Sequence, residues 1–199
     1  MTIIYTYIIV YAIKIILDYS HMVLTVNKVN LNIVKGDITS FDVDCLVNPG
    51  NSSLILGDGI AGKIRKIGGG KIQEECNIIG FCPLGNAAIT KGGDLRANFI
   101  IHAVGPRYNI DPEPKKNLMA SVINSLKLAQ SKDFQSIALP AISTGIFGYP
   151  LEEASYIIVR AIIDFSKEDT GRLKTILLCL FSENSYSIFE NTAKILLSK

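Results

Sequence analysis

The residues best suited to chemistry in this chain are clustered between Asn48 and Gly62, where two asparagines and four glycines fall within fifteen positions. Glycines let backbone N–H groups approach a bound group closely, and the helical pattern Ile60, Ile64, Ile67 that follows adds the positive end of a helix dipole. Together they favour an anion such as phosphate. Read literally, Gly57 to Gly62 is also a GxGxxG. That fingerprint belongs directly after a strand, with an acid about 20 residues further on. Here roughly nine residues separate the strand from Gly57, and Glu74 and Glu75 fall in a helical segment, so an NAD-dependent oxidoreductase is the remote alternative.

Other chemistries find less support. The four cysteines (Cys45, Cys76, Cys82, Cys179) and two histidines (His21, His102) include no pair at the two-residue spacing of a zinc knuckle, so no metal is expected. Cys45 and Cys179 sit in apolar strand patterns as small core residues, and free thiols suit a reducing cytoplasm. A net charge of +2 without any basic run gives no nucleic-acid signal. The densest basic patch, Lys63, Arg65, Lys66 and Lys71, reads as a solvated helix face.

Elements that could position the glycine loop follow from periodicity. At 199 residues and 48% hydrophobic composition, the chain is long enough for one well-buried core. Leu24 to Val34 alternates as a strand with a kink near Lys28, and ends in the turn Lys35 to Thr39. A second strand, Val43 to Val47, enters the glycine loop. Helices are expected at 60–67 and 71–79, separated by the terminator Gly68-Gly69-Gly70. Strands at 87–90 and 98–104 precede an amphipathic helix at 115–131. A strand at 136–141 runs into Ser143 to Pro150, where Pro150, Glu152 and Glu153 mark a helix start. An apolar strand at 175–181 and a helix at about 185–197 complete the series. Alternating elements with strands apolar on both faces predict helices on both sides of a largely parallel sheet. Ligands bind such sheets at the carboxyl ends of the strands, so the loops at 36–38, 48–62 and 143–149 should converge.

The apolar run 3–17 is short for a membrane span of about 20 residues and lacks the signal-peptide pattern. It fits three readings: an extra element packed on the domain, a weak membrane anchor, or upstream sequence ahead of a start at Met22.

Five segments in order, Lys35-Gly36-Asp37-Ile38-Thr39, Val47-Asn48-Pro49-Gly50-Asn51, Gly59-Ile60-Ala61, Ile101 to Pro106 and Pro140 to Pro150, resemble the macrodomain family. The resemblance covers about residue 24 to the C-terminus, giving an N-terminal extension, 1–22, and a macrodomain, 23–199. It implies an α/β fold, a three-layer α/β/α sandwich with a central mixed, mostly parallel sheet, and a cleft for ADP-ribose or an ADP-ribosylated protein. No separate cofactor is implied. By this resemblance Asp37 accepts from the exocyclic amine of adenine and the Ile38 amide donates to a ring nitrogen. Gly59, Ile60 and Ala61 hold one side of the diphosphate. Ser143, Thr144, Gly145, Ile146 and Phe147 hold the other, with Phe147 near the distal ribose. Phe181 is placed to stack on adenine, or else closes the strand as a core residue. Asn51 matches the asparagine that binds the distal ribose and, in hydrolytic members, positions the reacting end. Asn48 is expected to hold the loop backbone, and His102 to be a structural strand histidine. ADP-ribosyl hydrolase or O-acetyl-ADP-ribose deacetylase activity is the alternative to binding alone. Two positions depart from the family. Ala61 stands where the deacetylase-type branch carries a catalytic aspartate, and Asp58 stands where glycine is usual. Asp58 either faces solvent or acts as a relocated carboxylate.

Overall fold

The computed structural model describes residues 21–198. The expectations for the run 3–17 lie outside the described residues. Among those described, no helix is long and apolar enough to cross a membrane.

The expected kinked strand is instead a hairpin. Strand β1 (His21–Val26) and strand β2 (Val29–Lys35) pair antiparallel, with Val26 opposite Val29. The two residues between them make the turn, and Asn27 takes φ +52°, a left-handed conformation that asparagine tolerates better than most residues. The chain continues through a 3-10 turn (Ile38–Ser40), β3 (Cys45–Gly50), α1 (Gly59–Gly68), α2 (Lys71–Ile79), β4 (Ala87–Lys91) and β5 (Phe99–Val104). It ends with α3 (Pro114–Ser131), β6 (Ser136–Leu139), α4 (Leu151–Lys167), β7 (Thr175–Leu180) and α5 (Glu183–Leu197).

The seven strands form one sheet in the order β1-β2-β7-β6-β3-β5-β4. The inner five run parallel, and β1 and β4 join antiparallel at the edges. The strand side chains alternate between two cores, as period-2 geometry requires. Cys45, Val47, Ile101, Ile137, Leu139, Ile176 and Leu178 face the larger core beneath α3, α4 and α5. Leu46, Ile100, Ala138 and Cys179 face the smaller one beneath α1 and α2. This is the expected sandwich, in which helices cover both faces of a strongly apolar sheet.

Gly69 ends α1 at φ +82° and its amide bonds the Arg65 carbonyl, so the triple glycine terminates the helix. Helix α5 begins in a reciprocal cap, in which Ser182 Oγ accepts from the Ser185 amide and Ser185 Oγ from the Ser182 amide. That satisfies two otherwise orphaned donors and fixes the chain leaving β7 at the rim of the sheet.

Candidate functional site

A cleft of about 680 Å³ opens at the carboxyl ends of β2, β3, β6 and β7. The parallel register explains who meets whom there. Lys35 pairs with Leu180, so Asp37 and Phe181 leave the sheet side by side. The Gly36 amide donates to the Leu180 carbonyl at 2.8 Å and ties the two chain exits together. All twelve residues singled out above line this one cleft: Asp37, Ile38, Asn51, Gly59, Ile60, Ala61, Ser143, Thr144, Gly145, Ile146, Phe147 and Phe181.

One wall is the start of α1. The first amides of a helix have no partner within it, and those of Gly59, Ile60 and Ala61 receive none from the other described residues. Asp58 occupies the N-cap position, yet its side chain makes no cap hydrogen bond. The amides and the positive helix end are therefore open to the cleft. The opposite wall is the loop after β6. Thr144 N and Thr144 Oγ1 both return to the Ala141 carbonyl, Tyr149 N donates to the Ser143 carbonyl and Gly148 N to the Gly145 carbonyl. The amides of Gly145, Ile146 and Phe147 make no hydrogen bond within the described residues. Ser143 is held at φ +68°, a rare conformation for a non-glycine residue. Two rows of residues with unpaired N–H groups thus line a shared cleft, an arrangement that suits anions.

At the far end, Asp37 caps the 3-10 turn. Its Oδ1 accepts from Thr39 N (3.0 Å) and Thr39 Oγ1 (2.8 Å), and its Oδ2 from Lys63 Nζ (2.9 Å). Burial pulls this carboxyl upward, but the hydrogen bonds of Lys63 and Thr39 and the Lys63 charge outweigh it and hold it below its ordinary value. The Ile38 amide has no hydrogen-bond partner among the described residues. Phe181 is 80% exposed, which rules out the alternative that it closes the strand as a core residue.

Three placements sharpen the sequence reading. Lys63 is exposed, as a solvated helix face requires, but it also lines the cleft, where it bonds Asp37 and sits 5.2 Å from the centroid of the Phe181 ring. Its position four residues after Gly59, on the helix face that carries Gly59, was the available signal. Asn51 lines the cleft and also takes the backbone-holding role expected of Asn48. Asn51 holds the loop backbone, with Nδ2 on the Ile55 carbonyl (2.8 Å) and Oδ1 on the Ile55 amide (3.2 Å). Asn48 is buried and its Nδ2 contacts His102 Nδ1 at 3.1 Å, leaving Oδ1 without a partner. Asp58 is exposed at the cleft lining, so it faces solvent and the ligand space together.

His102 is the expected structural histidine. Its Nε2 lies 2.9 Å from Thr90 Oγ1 and 3.6 Å from Cys76 Sγ. Burial pushes the imidazole down to about 4, so it is neutral at physiological pH and serves as a hydrogen-bonded tie between β4, β5, β3 and α2. No cluster of three or more His, Cys, Asp or Glu among the described residues could hold a metal.

Residues 47–158 match the sequence pattern of the Macro domain, more than half of the chain. The chain belongs to the Macro domain family. This macrodomain is 41% identical over 167 residues to a macro domain-containing protein of Caldanaerobacter subterraneus, covering 81% of this chain and 94% of that one. It is 39% identical over 163 residues to an O-acetyl-ADP-ribose deacetylase of Escherichia fergusonii, covering 79% of this chain and 92% of the relative. Among solved structures, a mutant of the Oceanobacillus iheyensis macrodomain with ADPR (ADP-ribose) superposes with a TM-score of 0.86 at 36% identity, covering 90% of this macrodomain and all of that chain.

Proposed function

We propose that this macrodomain binds ADP-ribose, free or attached to a protein, across the cleft from Asp37 to Phe147. The observation that carries the reading is the pair of facing, unpaired amide rows at Gly59 to Ala61 and Gly145 to Phe147. A diphosphate set between them receives hydrogen bonds from both sides and the positive end of α1. Beyond it, Asp37 and the unpaired Ile38 amide present an acceptor and a donor to a base edge, and the exposed Phe181 ring supplies a stacking face. At the other end, Asn51 and Phe147 flank the room left for the distal ribose. The Escherichia fergusonii deacetylase and the ADPR-bound Oceanobacillus iheyensis structure support this choice of ligand.

The proposal stops at binding. Ala61 places a methyl group where the deacetylase-type branch has its aspartate, and a methyl group cannot exchange a proton. The carboxylates lining the cleft are Asp37, already paired with Lys63, and Asp58, which caps nothing. Asp58 adds a negative charge beside the diphosphate position, a cost moderated by its exposure to solvent.

Calorimetry with Asp37→Ala tests the orientation of the ligand. The variant is expected to bind ADP-ribose about 1 to 3 kcal/mol more weakly, the cost of leaving the base's polar edge without its charged partner. Unchanged affinity would sink the assignment of the base to the Asp37 end.

A further inference from the structure

Lys63 is half exposed and paired with a half-exposed carboxylate, and ion pairs of that kind add little to stability. Its consequence lies in what it occupies. The ammonium takes Asp37 Oδ2 at 2.9 Å while Thr39 takes Oδ1 twice, so both oxygens of the carboxylate are engaged before any ligand arrives. The same ammonium lies over the Phe181 ring, 5.2 Å from its centroid, within the range of a cation–π contact. A base entering the space beside Asp37 and Phe181 therefore meets a donor-only cation.

We propose that Lys63 is a specificity-determining residue at the base end of the cleft, cancelling the preference for a 6-amino purine and admitting a purine with a carbonyl at that position. The proposal rests on the ADP-ribose reading above. An exocyclic amine aimed at Asp37 brings its N–H groups against the ammonium, two sets of donors with one shared acceptor. A carbonyl at the same place accepts from Lys63, and the N–H on the adjoining ring nitrogen, which in adenine accepts from the Ile38 amide, donates to Asp37, so the analogue exchanges the Ile38 contact for one to the Lys63–Asp37 pair. Asp37 without Lys63 would select the amine. With Lys63 in place, the pair offers a donor and an acceptor together.

The test compares ADP-ribose with its deaminated analogue, in which hypoxanthine replaces adenine, on the full chain and on Lys63→Met. Methionine keeps an unbranched apolar stem beside Phe181 and removes only the charge. The natural chain is expected to bind the two ligands within about threefold of each other. Lys63→Met is expected to favour ADP-ribose by about tenfold or more, the size of one hydrogen bond to a charged group. A ratio of affinities cancels any general effect of the substitution on the fold. If the natural chain already prefers ADP-ribose tenfold, or if Lys63→Met leaves the ratio unmoved while both ligands bind, the role of Lys63 is overturned and the ADP-ribose reading stands. If neither ligand binds the natural chain, that reading falls and this proposal falls with it.

Discussion

Gly105→Ala is expected to weaken ADP-ribose binding at least about tenfold and to destabilise the fold by about 1 to 3 kcal/mol. Gly105 follows β5 and never touches the ligand space directly. A Cβ there would lie 2.3 Å from Ser143 Oγ and 2.6 Å from Ile142 Cγ2. Ile142 is fully buried and branched at Cβ, so it cannot swing clear. Ser143 is buried and held at φ +68°. Ser143 Oγ can turn aside, since its Cβ would lie 3.6 Å away, but clearing Ile142 Cγ2 requires moving the loop after β6, and with it the open amides of Gly145, Ile146 and Phe147. Displacing hydrogen-bond donors by a fraction of an ångström costs an anion site more than it costs a core. Thermal unfolding and calorimetry on the same sample measure both effects. A variant with natural melting temperature and natural affinity would show that the loop after β6 does not transmit the strain.

Stability is expected to fall by roughly 3 kcal/mol as pH drops from about 6.5 to 4, because His102 is buried neutral. Its folded value is pushed to about 4 from an ordinary value of 6.5. Between those values the unfolded chain binds a proton that the folded chain does not, so lowering the pH favours unfolding. The contribution is complete above about 6.5, declines through the window and levels off below about 4. Asp37 and Asp111 are held below the usual carboxylate range, so their losses come at lower pH still. His102→Gln removes the titration. It is expected to be less stable at pH 7 by about 1 to 3 kcal/mol, through the partners lost by Asn48 and Thr90, and nearly flat across the window. Chemical denaturation at several pH values separates the outcomes. Equal slopes in both proteins would assign the pH dependence to other groups.

The difference between what periodicity reveals and what only packing reveals is visible residue by residue. The alternation of Leu46, Val47, Ile100, Ile101, Leu177 and Leu178 between two cores needs only a period of two and apolar side chains on both faces, and it was legible. So was the convergence of glycine loops, since parallel strands deliver their carboxyl ends to one edge. The hairpin at Asn27-Lys28 was not, because two residues of turn leave the apolar alternation almost unbroken and a kink and a reversal look alike. That Asn51 rather than Asn48 holds the loop backbone was equally hidden. Which asparagine points into the core depends on strand parity at the end of β3, where Asn48 falls beside His102 on the neighbouring strand. Lys63 was grouped with Arg65 and Lys66 by charge, although only Lys63 lies one helical turn from Gly59. Neither Ser143 at positive φ nor the space left by Gly105 has a signature in sequence, because each is defined by its fit to the other.

The central claim is that two open rows of amides, an acid-bearing turn and an exposed aromatic ring form one ADP-ribose site. It is tested most directly by titrating the full chain with ADP-ribose and, in parallel, with NAD. The account predicts saturable binding of one ADP-ribose per chain, with NAD clearly weaker because the nicotinamide would have to fit at the Asn51 and Phe147 end, which the proposed site gives to a bare ribose. Absence of ADP-ribose binding, or NAD binding as tightly, would contradict it.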